Sequence, residues 1–106
     1  MEHKITALKA QKRNPNRINV YLDGSFAFGL ARTVAAWLQI GQVISDEKIQ
    51  TLQSQDTVEV AYQKALHFLS FRPRTENEIR RKLKDAGFEE EIADPILQRL
   101  RDAAMV

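Results

Sequence analysis

The chain contains no cysteine. That absence excludes disulfides and thiolate chemistry, and it suits a reducing compartment. Histidine is scarce as well: His3 and His67 stand alone, neither with a second histidine at metal-ligand spacing. The four glycines, Gly24, Gly29, Gly41 and Gly87, are scattered, so no glycine-rich loop exists to cradle a phosphate. No apolar run approaches the ~18 residues that span a bilayer. The opening MEHKITALKAQKR has no apolar core of a secretory leader, and a cytoplasmic protein is expected. Excess charge is also lacking. A net charge of +2 does not mark the whole chain as a nucleic-acid binder.

What is present is an ordinary soluble composition, 43% hydrophobic and 28% charged, in 106 residues. That length allows one domain with a marginal core, or a small domain with a helical appendage. The charge is unevenly placed. Residues 1–22 carry Lys4, Lys9, Lys12, Arg13 and Arg17 against Glu2 alone. Residues 23–56 are net acidic. Residues 57–106 are balanced overall, but bases gather from Arg72 to Lys84 and acids at Glu89, Glu90 and Glu91.

Along the chain, residues 5–12 alternate weakly, with Ile5, Ala7 and Lys9 on one side, and predict a strand. Asn14-Pro15-Asn16 is a turn. Ile18, Val20 and Leu22 alternate with Asn19 and Tyr21, and Asp23-Gly24 follows as a type I′ hairpin signal. Ser25–Gly29 is then the return strand, with Phe26 and Phe28 on one face and Phe26 read as core. A three-stranded antiparallel meander results, and it needs a helix against its apolar side. Residues 31–39 supply one, with Val34, Ala35 and Leu38 as its stripe, Trp37 near its edge and Gly41 at its end. Ser45 caps another helix, with Asp46 and Glu47 in its first turn where the dipole favours acids. The polar stretch Gln53–Thr57 predicts a break or bend before an amphipathic helix over 57–71.

The most informative segment is residues 65–88, ALHFLSFRPRTENEIRRKLKDAGF. Arg72-Pro73-Arg74 interrupts the apolar periodicity. Thr75 and Glu78 have capping-box spacing, Ile79 and Leu83 form an i, i+4 apolar pair, and Gly87 stands where a left-handed residue closes a helix. A third helix rests on Ile92, Ile96, Leu97 and Leu100. Its start is open: near Glu90 with Pro95 inside, or at Asp94 as N-cap with Pro95 in the first position.

This segment resembles the first helical repeat of the RecX family, regulators of the RecA recombinase. The family motif A-L-x-x-L-S-x-R-P-R-S/T-E-x-E-I/L-R-x-K-L is met by Ala65-Leu66, Leu69-Ser70, Arg72-Pro73-Arg74-Thr75-Glu76, Glu78-Ile79-Arg80 and Lys82-Leu83, with Gly87-Phe88 as the following turn. ITALKAQKR and RINVYLDGSFAFGL resemble the family's front domain. Pro95 departs from the pattern and bears on how the third helix packs. The resemblance implies an α+β protein: an N-terminal β-meander with helices over 1–56, then one three-helix repeat over 57–106. It also implies a cytoplasmic, non-enzymatic modulator that binds the RecA filament and lowers its recombination and ATPase activities in DNA repair, with no cofactor. Family members usually carry further repeats, so a naturally short member or part of a longer one is expected, with Phe71, Met105 and Val106 left exposed.

The candidate partner-binding residues are Arg72, Arg74, Arg80, Arg81, Lys82 and Lys84. Arginine offers planar bidentate donors to carboxylates and phosphates. The competing structural reading has Arg72 and Arg74 capping the preceding helix, Glu76 pairing with Arg80 and Glu78 with Lys82. A second basic patch, Lys9, Lys12, Arg13 and Arg17, could contact single-stranded DNA or the filament, or could protect a sheet edge. His3 is read as tail, His67 as a boundary residue, and Glu89–Glu91 as a first-turn complement to the helix dipole. The alternative function is nonspecific, salt-dependent DNA binding by a helix-turn-helix. Its second helix lacks an Asn/Gln-rich face to read bases and exposes Lys, Arg and Glu, so at most nonspecific, salt-dependent binding is expected.

Overall fold

A computed structural model describes residues 1–105. The elements are β1 (Glu2–Ala10), β2 (Arg17–Leu22), β3 (Ser25–Ala31), α1 (Arg32–Ala35), β4 (Val43–Ser45), α2 (Asp46–Leu69), α3 (Glu76–Asp85) and α4 (Glu90–Asp102). The chain divides into two units, Met1–Thr57 and the part from Val58 onward.

In the first unit, antiparallel strands form one sheet in the order β3-β2-β1-β4. The meander thus has a fourth strand beyond the expected three. Val43–Ser45 is too short to show alternation in the sequence, and it is recruited by β1. The Gly41 N–H donates to the Ile5 carbonyl (2.7 Å) and the Ile5 N–H to the Gln42 carbonyl (2.9 Å). The same recruitment shortens the helix expected over 31–39 to a single turn. After Ala35 the chain must cross to β1, through turns in which the Leu38 N–H meets the Ala35 carbonyl and the Gln42 N–H meets the Gln39 carbonyl. Ala35 and Leu38 are still buried, whereas Trp37 is 89% exposed.

The Asp23-Gly24 hairpin has positive φ at both positions (52° and 87°), as a type I′ turn requires. Two bulges break simple alternation. The register shifts between Ile5 and Ala7 on β1 and between Val20 and Tyr21 on β2. Ile5 therefore shares the core with Leu8 rather than with Ala7 and Lys9. Likewise Val20 stands opposite Phe28 and Tyr21 opposite Phe26, so the two phenylalanines part company. Phe28 packs on the core; Phe26, expected inside, is 57% exposed. The core is completed by Leu22, Leu30, Ile44 and, from α2, Leu52.

Helix α2 begins as expected: the Lys48 N–H donates to Ser45 Oγ (3.1 Å), with Asp46 and Glu47 in the first turn. No break follows at 53–57. The residues that could have capped a new helix there are otherwise engaged. Thr57 Oγ1 donates back to the Gln53 carbonyl (3.1 Å), and the Asp56 carboxylate takes two bonds from Arg17 and one from the Ala31 N–H.

In the second unit, Ala61, Tyr62 and Ala65 of α2 pack with Ile79 and Leu83 of α3 and with Ala93, Ile96, Leu97 and Leu100 of α4. Each fully buried Leu or Ile contributes roughly 2 kcal/mol. The capping box is complete: the Glu78 N–H donates to Thr75 Oγ1 and the Thr75 N–H to Glu78 Oε1, both at 3.1 Å. At the other end of α3 the Phe88 N–H donates to the Leu83 carbonyl and the Gly87 N–H (φ +94°) to the Lys84 carbonyl, a Schellman closure. Helix α4 starts at Glu90, and Pro95 lies inside it on the exposed side, where its missing N–H leaves a carbonyl to solvent. Phe71 and Met105 are 69% and 49% exposed, as expected. Val106 lies outside the described residues.

Candidate functional site

The corner between α2 and α3 is built by local sequence. Ser70 ends α2, its N–H bonding to the Leu66 carbonyl and its hydroxyl to the His67 carbonyl. Pro73 cannot continue a helix, and Thr75 restarts one. Arg72 and Arg74 do not cap α2. Arg72 donates to the Pro73 carbonyl (3.0 Å) and to Glu78 Oε2 (2.8 Å). Arg74 lays its guanidinium on the Phe68 ring, 3.9 Å from the centroid. Its side chain is 14% exposed, its contact with Glu78 is long (3.8 Å), and its buried Nε has no hydrogen-bond partner. Glu78 is held below the usual carboxylate range by the Thr75 N–H first, then by Arg72.

The pairs expected along α3 are replaced by pairs to other elements. Glu76 takes a bidentate bond from Arg101 of α4 (2.9 and 2.7 Å) instead of Arg80. This lowers the Glu76 pKa and raises that of Arg101. Arg80 donates to Asp94 of α4 (2.6 Å). Lys82 lies 5.3 Å from the Phe68 ring, not on Glu78. A further tie joins α2 and α4: Arg99 donates to Glu59 (2.8 Å) and stacks on Tyr62 at 3.7 Å. Bonding to Glu59 raises the Arg99 pKa.

Of the six basic residues singled out in this corner, Arg74 and Arg80 thus serve the scaffold. Arg72 is half-exposed but bonded. Arg81 and Lys84 are exposed and, among the described residues, have no ion-pair partner. They share one face of α3, three positions apart. They line a shallow groove with Phe88, Glu89 and Glu90. A second groove runs along α2, lined by Val60, Lys64, His67, Phe68, Phe71 and Lys82. His67 meets Phe71 edge to face at 5.0 Å. Lys64 and Val60 were not singled out in the sequence. Their spacing with His67 and Phe71 (i, i+4, i+7, i+11) is a second helical stripe opposite the buried one, and it was the signal available.

The strand patch also divides. Arg17 forms a fork with Asp56 (2.8 and 3.2 Å) that ties β2 to α2, so it is structural. Lys9 lies over Tyr21, 5.0 Å from the ring centroid. Lys12 and Arg13 are exposed in the β1–β2 turn. His3, read as tail, is part of β1. Its Nε2 meets Asp46 (2.8 Å) and its Nδ1 meets Asp23 (3.2 Å). Bonding to Asp46, then Asp23, raises the imidazole pKa. The Asp23 carboxyl is lowered by the Lys4 N–H and then His3, and Asp46 by His3 and then the N-terminal amine. No group of three or more His, Asp or Glu is arranged to hold a metal among the described residues. Among the described residues, no helix is long and apolar enough to cross a membrane.

Two family models match. "Regulatory protein RecX N-terminal domain" covers residues 3–45, and "RecX, first three-helix domain" covers residues 61–100. The chain is 41% identical over 104 residues to a regulatory protein RecX of Levilactobacillus brevis, covering 96% of this chain and 39% of that one. It is 35% identical over 105 residues to that of Limosilactobacillus reuteri, covering 97% and 39%. A crystal structure of regulatory protein RecX superposes with a TM-score of 0.88 at 36% identity, over 98% of this chain and 52% of that one. The chain therefore spans about two fifths of the length of these curated relatives. With its sheet unit and its helical unit each matched by a model of one family, the chain belongs to the RecX family of regulatory proteins, of which it carries the N-terminal domain and the first three-helix domain.

Proposed function

We propose that the chain is a non-enzymatic regulator that docks on the RecA recombinase filament and lowers its recombination and ATPase activities, with the α2–α3 corner as its contact. The observation that carries the contact is the division of charge on α3. Arg80 is used by Asp94, whereas Arg81 and Lys84 stand exposed with no ion-pair partner among the described residues. Lys82 and the half-exposed Arg72 widen this basic surface, and Arg74, stacked on Phe68, stiffens it. Exposed cations held by a rigid scaffold suit a carboxylate-bearing protein groove and steer encounter with it.

The test is RecA's single-stranded-DNA-dependent ATPase, titrated with the chain. The expected result is progressive inhibition that Arg81→Ala/Lys84→Ala weakens at least ten-fold without changing the circular dichroism spectrum. Undiminished inhibition by that variant would remove the corner. No inhibition by the unaltered chain would remove the regulatory activity from these two domains.

A further inference from the structure

We propose that the outer face of the sheet, around Tyr21, Phe26 and Lys9, is a base-stacking platform for single-stranded nucleic acid. This face is opposite the core formed by Ile5, Val20, Leu22 and Leu30. Both bulges flank Tyr21: the register shifts between Ile5 and Ala7, with Ala7 opposite Tyr21, and again between Val20 and Tyr21. Bulges re-aim side chains, and here they turn Phe26 out of the apolar face that alternation would give it. The result is an edge-to-face pair, Tyr21 and Phe26, with centroids 5.9 Å apart and planes at 78°, on the solvent side of the strands. Phe26 is 57% exposed. An exposed ring at this place offers a π-face on which an unpaired base can stack. A duplex keeps its bases stacked internally and offers none.

The charge on this side fits a phosphate backbone. Between residues 3 and 31 the basic residues are Lys4, Lys9, Lys12, Arg13 and Arg17, against one acid, Asp23. Asp23 is already bonded to His3 and the Lys4 N–H, and Arg17 to Asp56. Lys9, resting on the Tyr21 ring, can leave it for a phosphate, and Lys12 and Arg13 follow in the adjoining turn. The surface continues past Tyr21 to Asn19, whose Oδ1 accepts from Gln11 Nε2 (3.0 Å) opposite Gly29. A Cβ at Gly29 would come within 3.3 Å of that Gln11 nitrogen. The glycine therefore leaves room for two amides able to meet base edges.

This platform is independent of the helical corner, and its test contains no recombinase, so the two readings fail separately. The chain is titrated into a fluorescein-labelled thymidine-only strand of about 12 nucleotides, a length within the usual single-strand footprint, and anisotropy is read at low and moderate salt. Saturable binding is expected. Phe26→Leu keeps an apolar side chain but removes the ring, and it should weaken binding about ten-fold, the scale of one lost stacking contact. Lys9→Gln should weaken it less and flatten the salt dependence by about 0.7 in the log–log slope. Arg81→Ala/Lys84→Ala should bind as the unaltered chain does. The proposal is overturned by the absence of saturable binding at low salt, by Phe26→Leu binding undiminished, or by equal affinity for a duplex of the same length, which would mean phosphate contact without stacking.

Discussion

The two units of this molecule place their cations differently. In the helical unit, arginines from α3 and α4 are tied to carboxylates on other helices: Arg80 to Asp94, Arg101 to Glu76, Arg99 to Glu59. In the sheet unit, among the described residues, Arg17 is the one arginine used in this way, on Asp56, while Lys9, Lys12 and Arg13 stand at the surface. A cluster of bases in a sequence is therefore two populations. One is spent on geometry, and only the remainder is available to a partner. Within the two clusters singled out in the sequence, the remainder is Arg81, Lys82 and Lys84 at the helical corner, and Lys9, Lys12 and Arg13 in the strand patch.

That division can be broken most severely at Asp56. Its side chain is 15% exposed and holds both Arg17 and the Ala31 N–H. Asp56→Ala should destabilise the sheet unit by about 2–3 kcal/mol, because it strands a guanidinium and a backbone donor. Urea unfolding followed by circular dichroism checks this, and a loss below about 0.5 kcal/mol would deny the fork its structural role.

A smaller effect is expected in the helical unit. Thr75→Ala removes half of the capping box and should cost about 1 kcal/mol by the same measurement. The corner cations would remain, so filament inhibition should persist wherever the variant is folded.

The smallest effect sharpens the comparison through pH. His3 has a raised pKa because it bridges Asp46 and Asp23. Its contribution is fully present below the imidazole's ordinary value of about 6.5. It is lost as pH rises through the higher folded value. The two aspartates behave oppositely: with lowered pKa values, they stabilise above their ordinary range and lose that contribution as pH falls through their folded values. Thermal melts of the chain and of His3→Gln, compared from pH 5 to 9, should converge on the alkaline side. Parallel curves would show that the bridge carries no proton-linked stability.

The helical unit was largely legible in the sequence because its signals are local. Thr75-x-x-Glu78, the Ile79/Leu83 pair and Gly87 each act within one or two turns, and all three do as their spacing predicts. The sheet unit was harder to read. A bulge displaces every later side chain by one face, and nothing in ITALKA or VYLDGSFAF announces where it falls. Phe26 was misplaced for that reason. Strand β4 was missed because three residues cannot display a period, and the break at 53–57 was wrongly expected because the long-range bonds to Asp56 come from Arg17 and Ala31, distant in sequence. The candidate corner was visible as composition. Which of its cations are engaged was not, because Asp94 and Arg101 reach α3 only through the folded packing of α4.

The most direct measurement is co-sedimentation with RecA filaments on single-stranded DNA, with melting temperature recorded, for two double variants. The account predicts that Arg81→Ala/Lys84→Ala melts as the unaltered chain does and no longer sediments with the filament. It predicts that Arg80→Ala/Arg101→Ala melts at a lower temperature and, below its melt, still sediments. Full sedimentation of the first variant, or loss of sedimentation by the folded second, would contradict it.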